Sequence, residues 1–184
     1  MSQVKISGNA SGTGVLTIAA PNTNTDRSIT IPDKAGAIAV GAGTIVQVKS
    51  MVRTQSNFTT TSTSFVDVTD FNLSITPTSS SNKILCFLDA IVRTTGGFNA
   101  DARSSLNLVR GSTVINTKFT GQFLTEGVDG NNMYIPTQII YLDSPATTSS
   151  VTYKIQIKSE NSAFTTAIVP NDIPSMTLME VVAW

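Results

Sequence analysis

Apolar and polar residues alternate along much of the chain after residue 43, and this period of two is typical of half-buried β-strands. The clearest example is residues 151–158, in which Val151, Tyr153, Ile155 and Ile157 alternate with polar neighbours. Residues 44–53 also alternate between apolar and polar side chains, and one side of this predicted strand suits the inward face of a sheet. The pattern predicts strands at residues 44–53, 65–68, 71–75, 83–93, 104–109, 113–117, 133–142, 151–158 and 176–184.

The segment KILCFLDAIVR, residues 83–93, is the most apolar run of the chain. A continuous apolar run of this kind fits a central strand that is buried on both faces. Cys86 lies inside the run and is the only cysteine, which excludes an internal disulfide. We expect its thiol to behave as a small buried hydrophobe.

Short polar or glycine-containing segments separate the predicted strands. Residues 78–82 form a polar turn, Gly96-Gly97 marks a loop, and Arg110-Gly111-Ser112 has the composition of a tight hairpin turn. Roughly eight strands joined by short turns indicate an antiparallel two-sheet sandwich or a barrel. We predict an all-β jelly-roll sandwich over residues 44–184, with the last strand ending inside the sheet at Trp184.

Residues 1–43 differ from the rest because they are rich in Gly, Ala, Asn and Thr and have few large side chains. Two short strands are predicted at residues 15–19 and 28–31, joined by the turn-forming Pro21-Asn22-Thr23-Asn24 and closed by Pro32-Asp33. This segment cannot build a core of its own. We expect an extended N-terminal arm over residues 1–43, ordered only against something else, before a head domain at residues 44–184.

Charged residues make up only 13% of the chain, about half the usual share, and the net charge is +0. No cluster of Lys and Arg is present to bind nucleic acid. No run of about 18 apolar residues is present either, and MSQVKISGNASG lacks the apolar core of a signal peptide. We therefore expect synthesis in the cytoplasm, no membrane partner and, because charge repulsion is weak, an obligate oligomer.

The chemistry of the side chains argues against an enzyme. The chain has no histidine, which removes Ser-His-Asp and Cys-His nucleophile systems and the commonest metal ligand. The acids stand singly, and we interpret Asp67 and Asp70 as a turn-capping pair instead of a glycosidase dyad. Asp129-Gly130-Asn131-Asn132 lacks the spaced acids of a calcium loop and is interpreted as a turn. We predict no catalytic residue, no cofactor and no metal.

The N-terminal stretch GTGVLTIAAPNTNTDRSITIPDKAGAIA resembles a motif of phage structural proteins, found in tail-fibre-like and other surface proteins. The matching residues are Gly12, Gly14, Thr17, Ile18, Pro21, Thr23, Arg27, Ile29, Thr30, Pro32, Asp33 and Gly36. The remainder, with FNLSITPTSSSNKILCFLDAIV, LNLVRGSTVI, TYKIQIKSE and SMTLMEV, resembles the C-terminal jelly-roll domain of many of those proteins. That domain is similar to the trimeric heads of the tumour-necrosis-factor and complement type.

The resemblance implies a homotrimer on the virion, in which each head packs an apolar sheet face against its neighbours. It also implies that the arm attaches the trimer to the major capsid protein or another virion protein. The residues expected to make this attachment are Val15, Leu16, Ile18, Pro21, Arg27, Ile29, Ile31 and Pro32. The leading hypothesis is a capsid decoration (cement or head-spike) protein, because 184 residues provide an arm and one head only.

The alternative hypothesis is a short tail fibre or receptor-binding tip that recognises a host surface glycan. In that case the loops at residues 94–100 and 121–132 would be the distal recognition loops. Their candidate contact residues are Phe98, Asn99, Phe123, Asp129, Asn131 and Asn132. A polysaccharide-degrading enzyme is a third hypothesis, and the missing histidine and the isolated acids oppose it.

Overall fold

The computed structural model of the protein describes residues 24, 42–95, 102–120, 132–169 and 173–183. The described residues form ten strands and no helix, so no helix among them could cross a membrane. In chain order the strands are β1 (Ile45–Val52), β2 (Phe58–Thr60), β3 (Val66–Ile75), β4 (Lys83–Thr95), β5 (Ser104–Arg110), β6 (Thr113–Thr120), β7 (Asn132–Asp143), β8 (Val151–Ser159), β9 (Thr165–Ile168) and β10 (Ser175–Val181).

The strands form two antiparallel sheets. In the first sheet β10 pairs with β1 and β4, and β7 pairs with the other edge of β4. The second sheet has the order β3-β8-β5-β6. Eight strands have seven or more residues. Among these eight, the outermost pair in chain order is β1 with β10, followed inward by β3 with β8, β4 with β7 and β5 with β6. This nested pairing is that of a jelly roll, which confirms the predicted fold class.

Two strands of the structure were not predicted. β9 pairs with the last residues of β4, from Val92 to Thr95, and β2 pairs with β9. Both are too short to show an alternating pattern, and β9 lies between the strands predicted at residues 151–158 and 176–184. They extend the first sheet at the end of β4 that β10 does not reach, since β10 pairs with residues 83–89 only.

The predicted hairpin turn at residues 110–112 and the two short strands predicted at residues 65–68 and 71–75 both have counterparts in the structure. Gly111 has a φ of +58° between β5 and β6, a conformation that glycine adopts without strain. The two short strands predicted around Thr69-Asp70 are one strand, β3, with a large bulge: Asp67 pairs with Gln156, and Asn72 with Lys154. Four residues of β3 thus oppose one of β8, and Asp70 has a φ of +57°.

The core lies between the two sheets and is built from the inward positions of both. Regular strands such as β4, β8 and β10 contribute alternate residues, as the period of two requires. The inward residues are Ile84, Cys86, Leu88, Ala90, Val92, Ile139, Ile168, Met176 and Leu178 from the first sheet, and Val68, Phe71, Ile75, Leu106, Leu108, Tyr153, Ile155 and Ile157 from the second. Cys86 is fully buried, as predicted, and burial raises the pKa of its thiol to about 12.

Glu180 is a fully buried carboxylate at one end of the sandwich. It accepts hydrogen bonds from the backbone N–H and the hydroxyl of Thr78 at 2.7 and 2.8 Å, from Asn82 Nδ2 at 2.7 Å and from Gln47 Nε2. Burial alone raises the pKa of this carboxyl, but the bonds from Gln47, Asn82 and Thr78 outweigh it and hold the pKa below its ordinary value of 4.5. Glu180 thereby ties β1, β10 and the β3–β4 turn together.

Asp143, like Glu180, is a buried carboxylate that links separate elements, and it joins the two sheets. Arg110 of β5 donates to both of its carboxylate oxygens at 2.8 and 2.9 Å, and the buried Tyr153 hydroxyl of β8 donates to Oδ2 at 2.7 Å. Burial, and then the bond to Asp143, raise the pKa of Tyr153. The Asp143 carboxylate is thus paired with a cation and hydrogen-bonded, as a buried charge requires.

A chain of buried hydroxyls makes the third bridge. Ser104 Oγ of β5 lies 2.8 Å from Thr94 Oγ1 of β4 and 2.6 Å from Thr166 Oγ1 of β9. These hydroxyls satisfy one another in the interior, so none is left as a costly unpaired polar group.

We predict that Glu180 makes the stability of the protein sensitive to acid. Because its pKa is lower in the folded than in the unfolded state, its contribution is full above pH 4.5 and is lost as pH falls through the folded-state value. Urea unfolding should therefore show a steeper loss of stability on acidification for the wild type than for Glu180→Gln. At neutral pH the variant should be less stable by about 1–3 kcal/mol. Equal pH slopes in the two proteins would contradict this role of Glu180.

Candidate functional site

The outward side of the first sheet is rich in apolar residues on four of its strands. We call it the apolar face and define it by ten residues: Val46, Val48, Val52, Leu85, Phe87, Ile91, Tyr134, Ile140, Leu142 and Met179. They lie on β1, β10, β4 and β7, and they point away from the core because their neighbours in each strand point into it. The prediction that residues 83–93 are buried on both faces is thus wrong for a single chain, since Phe87 is 36% exposed.

The apolar face is continuous across the four strands. Val48 pairs with Met179, Met179 with Leu85, and Leu85 with Leu142, so one row of apolar side chains crosses these four strands. Neighbouring strands lie about 4.8 Å apart, which makes this row about 14 Å wide. In the adjoining row Phe87 pairs with Ile140, and the row continues on β10 and β1 with the hydroxyl residues Thr177 and Ser50.

Several side chains of the apolar face are largely exposed to solvent. Ile140 is 62% exposed, Tyr134 is 53% exposed and Val48 is 53% exposed. Single exposed hydrophobic residues are ordinary on protein surfaces, but a contiguous apolar patch marks an interaction site. The geometry therefore indicates that another surface covers the apolar face.

A shallow depression lies within the apolar face. Its walls come from three adjacent strands, β10, β4 and β7. The residues that line it are Phe87, Leu88, Asp89, Gln138, Ile140, Ser175 and Thr177. Apolar walls with a carboxylate and an amide at one side can hold a long side chain that ends in a polar group.

The outward side of the second sheet is polar by contrast. Asp67 accepts from Lys154 Nζ and from Gln156 Nε2, both at 2.7 Å, and Thr117 donates to Asn107 at 2.8 Å. The hydrogen bond from Lys154, then that from Gln156, lowers the pKa of Asp67. Asp67 therefore belongs to a cross-strand network, and the prediction that it caps a turn with Asp70 is wrong.

Large hydrophobic residues are sparse on this second face. Val114 is 49% exposed and Phe119 is 51% exposed, and both lie on the edge strand β6. The Phe119 ring packs against Arg103, whose guanidinium carbon lies 5.8 Å from the ring centroid. The two outer faces thus differ in kind, and only that of the first sheet has a contiguous apolar surface among the described residues.

Most of the predicted contact residues lie outside the described part of the chain. This holds for the arm residues Val15, Leu16, Ile18, Pro21, Arg27, Ile29, Ile31 and Pro32, and for the loop residues Phe98, Asn99, Phe123, Asp129 and Asn131. Asn132 is described and is the first residue of β7, where its Oδ1 accepts from Thr95 Oγ1 at 2.8 Å. Trp184 also lies outside the described residues, and β10 ends at Val181.

Sequence reasoning did not identify the apolar face residue by residue. The sequence feature that indicates the apolar face is in residues 83–93. There Leu85, Phe87 and Ile91 are apolar, although they alternate with the core residues and so point outward. In an ordinary exposed sheet these positions would be polar. Among the described residues, no group of three or more acidic or cysteine side chains could hold a metal ion.

No protein-family model matches the sequence, and no curated protein matches it either. Among solved structures, the chain is similar to the infectious bursal disease virus VP2 subviral particle, with 14% identity, a TM-score of 0.33, and 75% of this chain and 37% of that chain covered. It is also similar to the infectious bursal disease virus Gt strain, with 14% identity, a TM-score of 0.35, and 86% and 42% covered. The chain spans less than half the length of these chains, and a likeness of this degree concerns the fold alone.

Proposed function

We propose that the protein is a structural component of a phage virion, a homotrimer whose heads pack through the apolar face and whose arms attach it to the capsid. The observation that carries this proposal is the apolar face itself. An exposed apolar surface that extends across four strands fits self-association better than chemistry on a substrate.

Burial of the apolar face supplies the free energy of assembly in this account. Each Å² of apolar surface removed from water contributes roughly 25 cal/mol. A specific interface buries on the order of 800 Å² on each partner, which is compatible with a face that spans four strands. The resemblance of the sequence to trimeric jelly-roll heads supports three copies.

The arm supplies attachment in this account. Its predicted strands at residues 15–19 and 28–31 lack a core of their own and suit addition to a sheet of the major capsid protein. The contacts would come from Val15, Leu16, Ile18, Pro21, Arg27, Ile29, Ile31 and Pro32. Many copies attached in this way would stabilise the shell, which is the role of a decoration protein.

We predict that the full chain sediments as a trimer of 19.4 kDa subunits and that Ile140→Lys dissociates it. Ile140 is 62% exposed, so the lysine should leave the fold of the subunit intact while placing an unpaired charge in the interface. Val114→Lys is the matched control, since Val114 is 49% exposed on the second sheet and should tolerate the change without dissociation. A monomeric wild type, or a trimeric Ile140→Lys variant, would contradict the proposal.

We predict that removal of residues 1–41 leaves a folded trimer that no longer binds virus particles. The cut spares Gly43 and Thr44, because Gly43 N–H donates to the Val182 carbonyl and Val182 N–H to the Thr44 carbonyl, both at 2.9 Å. Co-sedimentation with particles that lack the protein measures attachment. Attachment of the truncated trimer at full strength would refute the role of the arm.

The alternative, a short tail fibre, differs from decoration in location and copy number. We predict that antibody-labelled protein covers the capsid in electron micrographs of virions and is present in hundreds of copies. Label confined to the tail, with at most a few dozen copies, would support the tail fibre instead.

A further inference from the structure

Three outward positions of β4 carry charged side chains beside the apolar ones. They are Lys83, Asp89 and Arg93. Asp89 is the only acid at an outward position of β1, β10, β4 or β7. If a second protein surface covers the apolar face, Asp89 and Arg93 lose water with it, and an unpaired charge that is desolvated in this way is strongly destabilising.

Neither Asp89 nor Arg93 has a partner within the described chain. No hydrogen bond or ion pair joins either side chain to another described residue. Arg93 Nε is buried within its own chain, so the terminal guanidinium nitrogens are the donors that a neighbouring subunit can reach. The two residues lie four positions apart on one strand, a separation of about 13 Å, so they cannot pair with each other in one subunit. Once the apolar face is covered, each charge needs a partner of opposite sign, which the other residue can supply from a neighbouring subunit.

The surroundings of Asp89 suit an arginine side chain. Asp89 lines the depression in the apolar face, with its pair partners Ser175 and Gln138 on either side, while the apolar side chains of Phe87 and Ile140 line it from the adjoining row. An arginine can lay its methylene groups along such apolar walls while its guanidinium makes two parallel hydrogen bonds to the carboxylate. The amide oxygen of Gln138 is a further acceptor at the same place.

We propose that Asp89 of one subunit pairs with Arg93 of a neighbouring subunit, which inserts into the depression of the apolar face. This inference rests on the proposed self-association through that face, and it names the polar contact that fixes how the copies pack. In a closed ring each subunit contributes Asp89 to one neighbour and Arg93 to the other, so the pair recurs once at every interface. An apolar contact alone would leave the relative position of the subunits poorly defined.

A charge-swap experiment on the full chain tests the pair. Asp89→Arg and Arg93→Asp should each raise the dissociation constant of the oligomer at least tenfold in sedimentation equilibrium, because each puts two like charges at the interface. The double variant, which restores the pair in reverse order, should return to within about threefold of the wild type. Asp89→Asn and Arg93→Gln serve as milder substitutions should either reversal prevent folding, and each should also weaken assembly.

The control is the Asp67–Lys154 ion pair on the outer face of the second sheet, with a separation of 2.7 Å within one chain. Its reversal, Asp67→Lys with Lys154→Asp, should leave the dissociation constant unchanged. An oligomeric wild type whose assembly is unaffected by the single changes, or is not restored by the double change, would overturn the ion pair and leave the proposed self-association standing. A wild type that is monomeric would overturn both.

Discussion

The alternation of side chains along a β-strand is the constraint on which this structure depends. Every strand sends half of its residues to each face of its sheet, and the two sheets of a sandwich can bury only the inward halves against each other. In β4 the inward half is Ile84, Cys86, Leu88, Ala90 and Val92. The outward half includes Leu85, Phe87 and Ile91, and a single chain provides no described element to cover it. The proposed function follows from this uncovered half.

Buried polar groups hold the two sheets in place over the apolar core. Glu180 lies at one end of the sandwich, Asp143 bridges β7 to β5 and β8, and the hydroxyls of Thr94, Ser104 and Thr166 form a chain elsewhere in the interior. Each group is satisfied by named partners, which removes the cost of burying it unpaired. Apolar packing supplies most of the stability, whereas these bridges fix where the sheets lie relative to each other.

The sequence was informative where a local pattern determines the structure. The alternation at residues 151–158 predicted β8, and Gly111 predicted the hairpin between β5 and β6. The short strands β2 and β9 were missed because three or four residues cannot display a period, and they form only through pairing with β4 and each other. The role of Asp67 was also missed, since its partners Lys154 and Gln156 are distant in sequence. The apolar face was visible only as an excess of apolar residues in one strand, and its extent required the register of four strands.

If the apolar face is covered in the assembled protein, covalent footprinting of the native, full-length protein will detect its protection from solvent. A reagent that labels exposed aliphatic and aromatic side chains is read out by mass spectrometry. We expect Ile140 and Val48 to be protected, although they are 62% and 53% exposed in one chain, while Val114 and Phe119 on the second sheet are labelled. If Ile140 and Val48 are labelled as strongly as Val114 and Phe119, the apolar face is not covered.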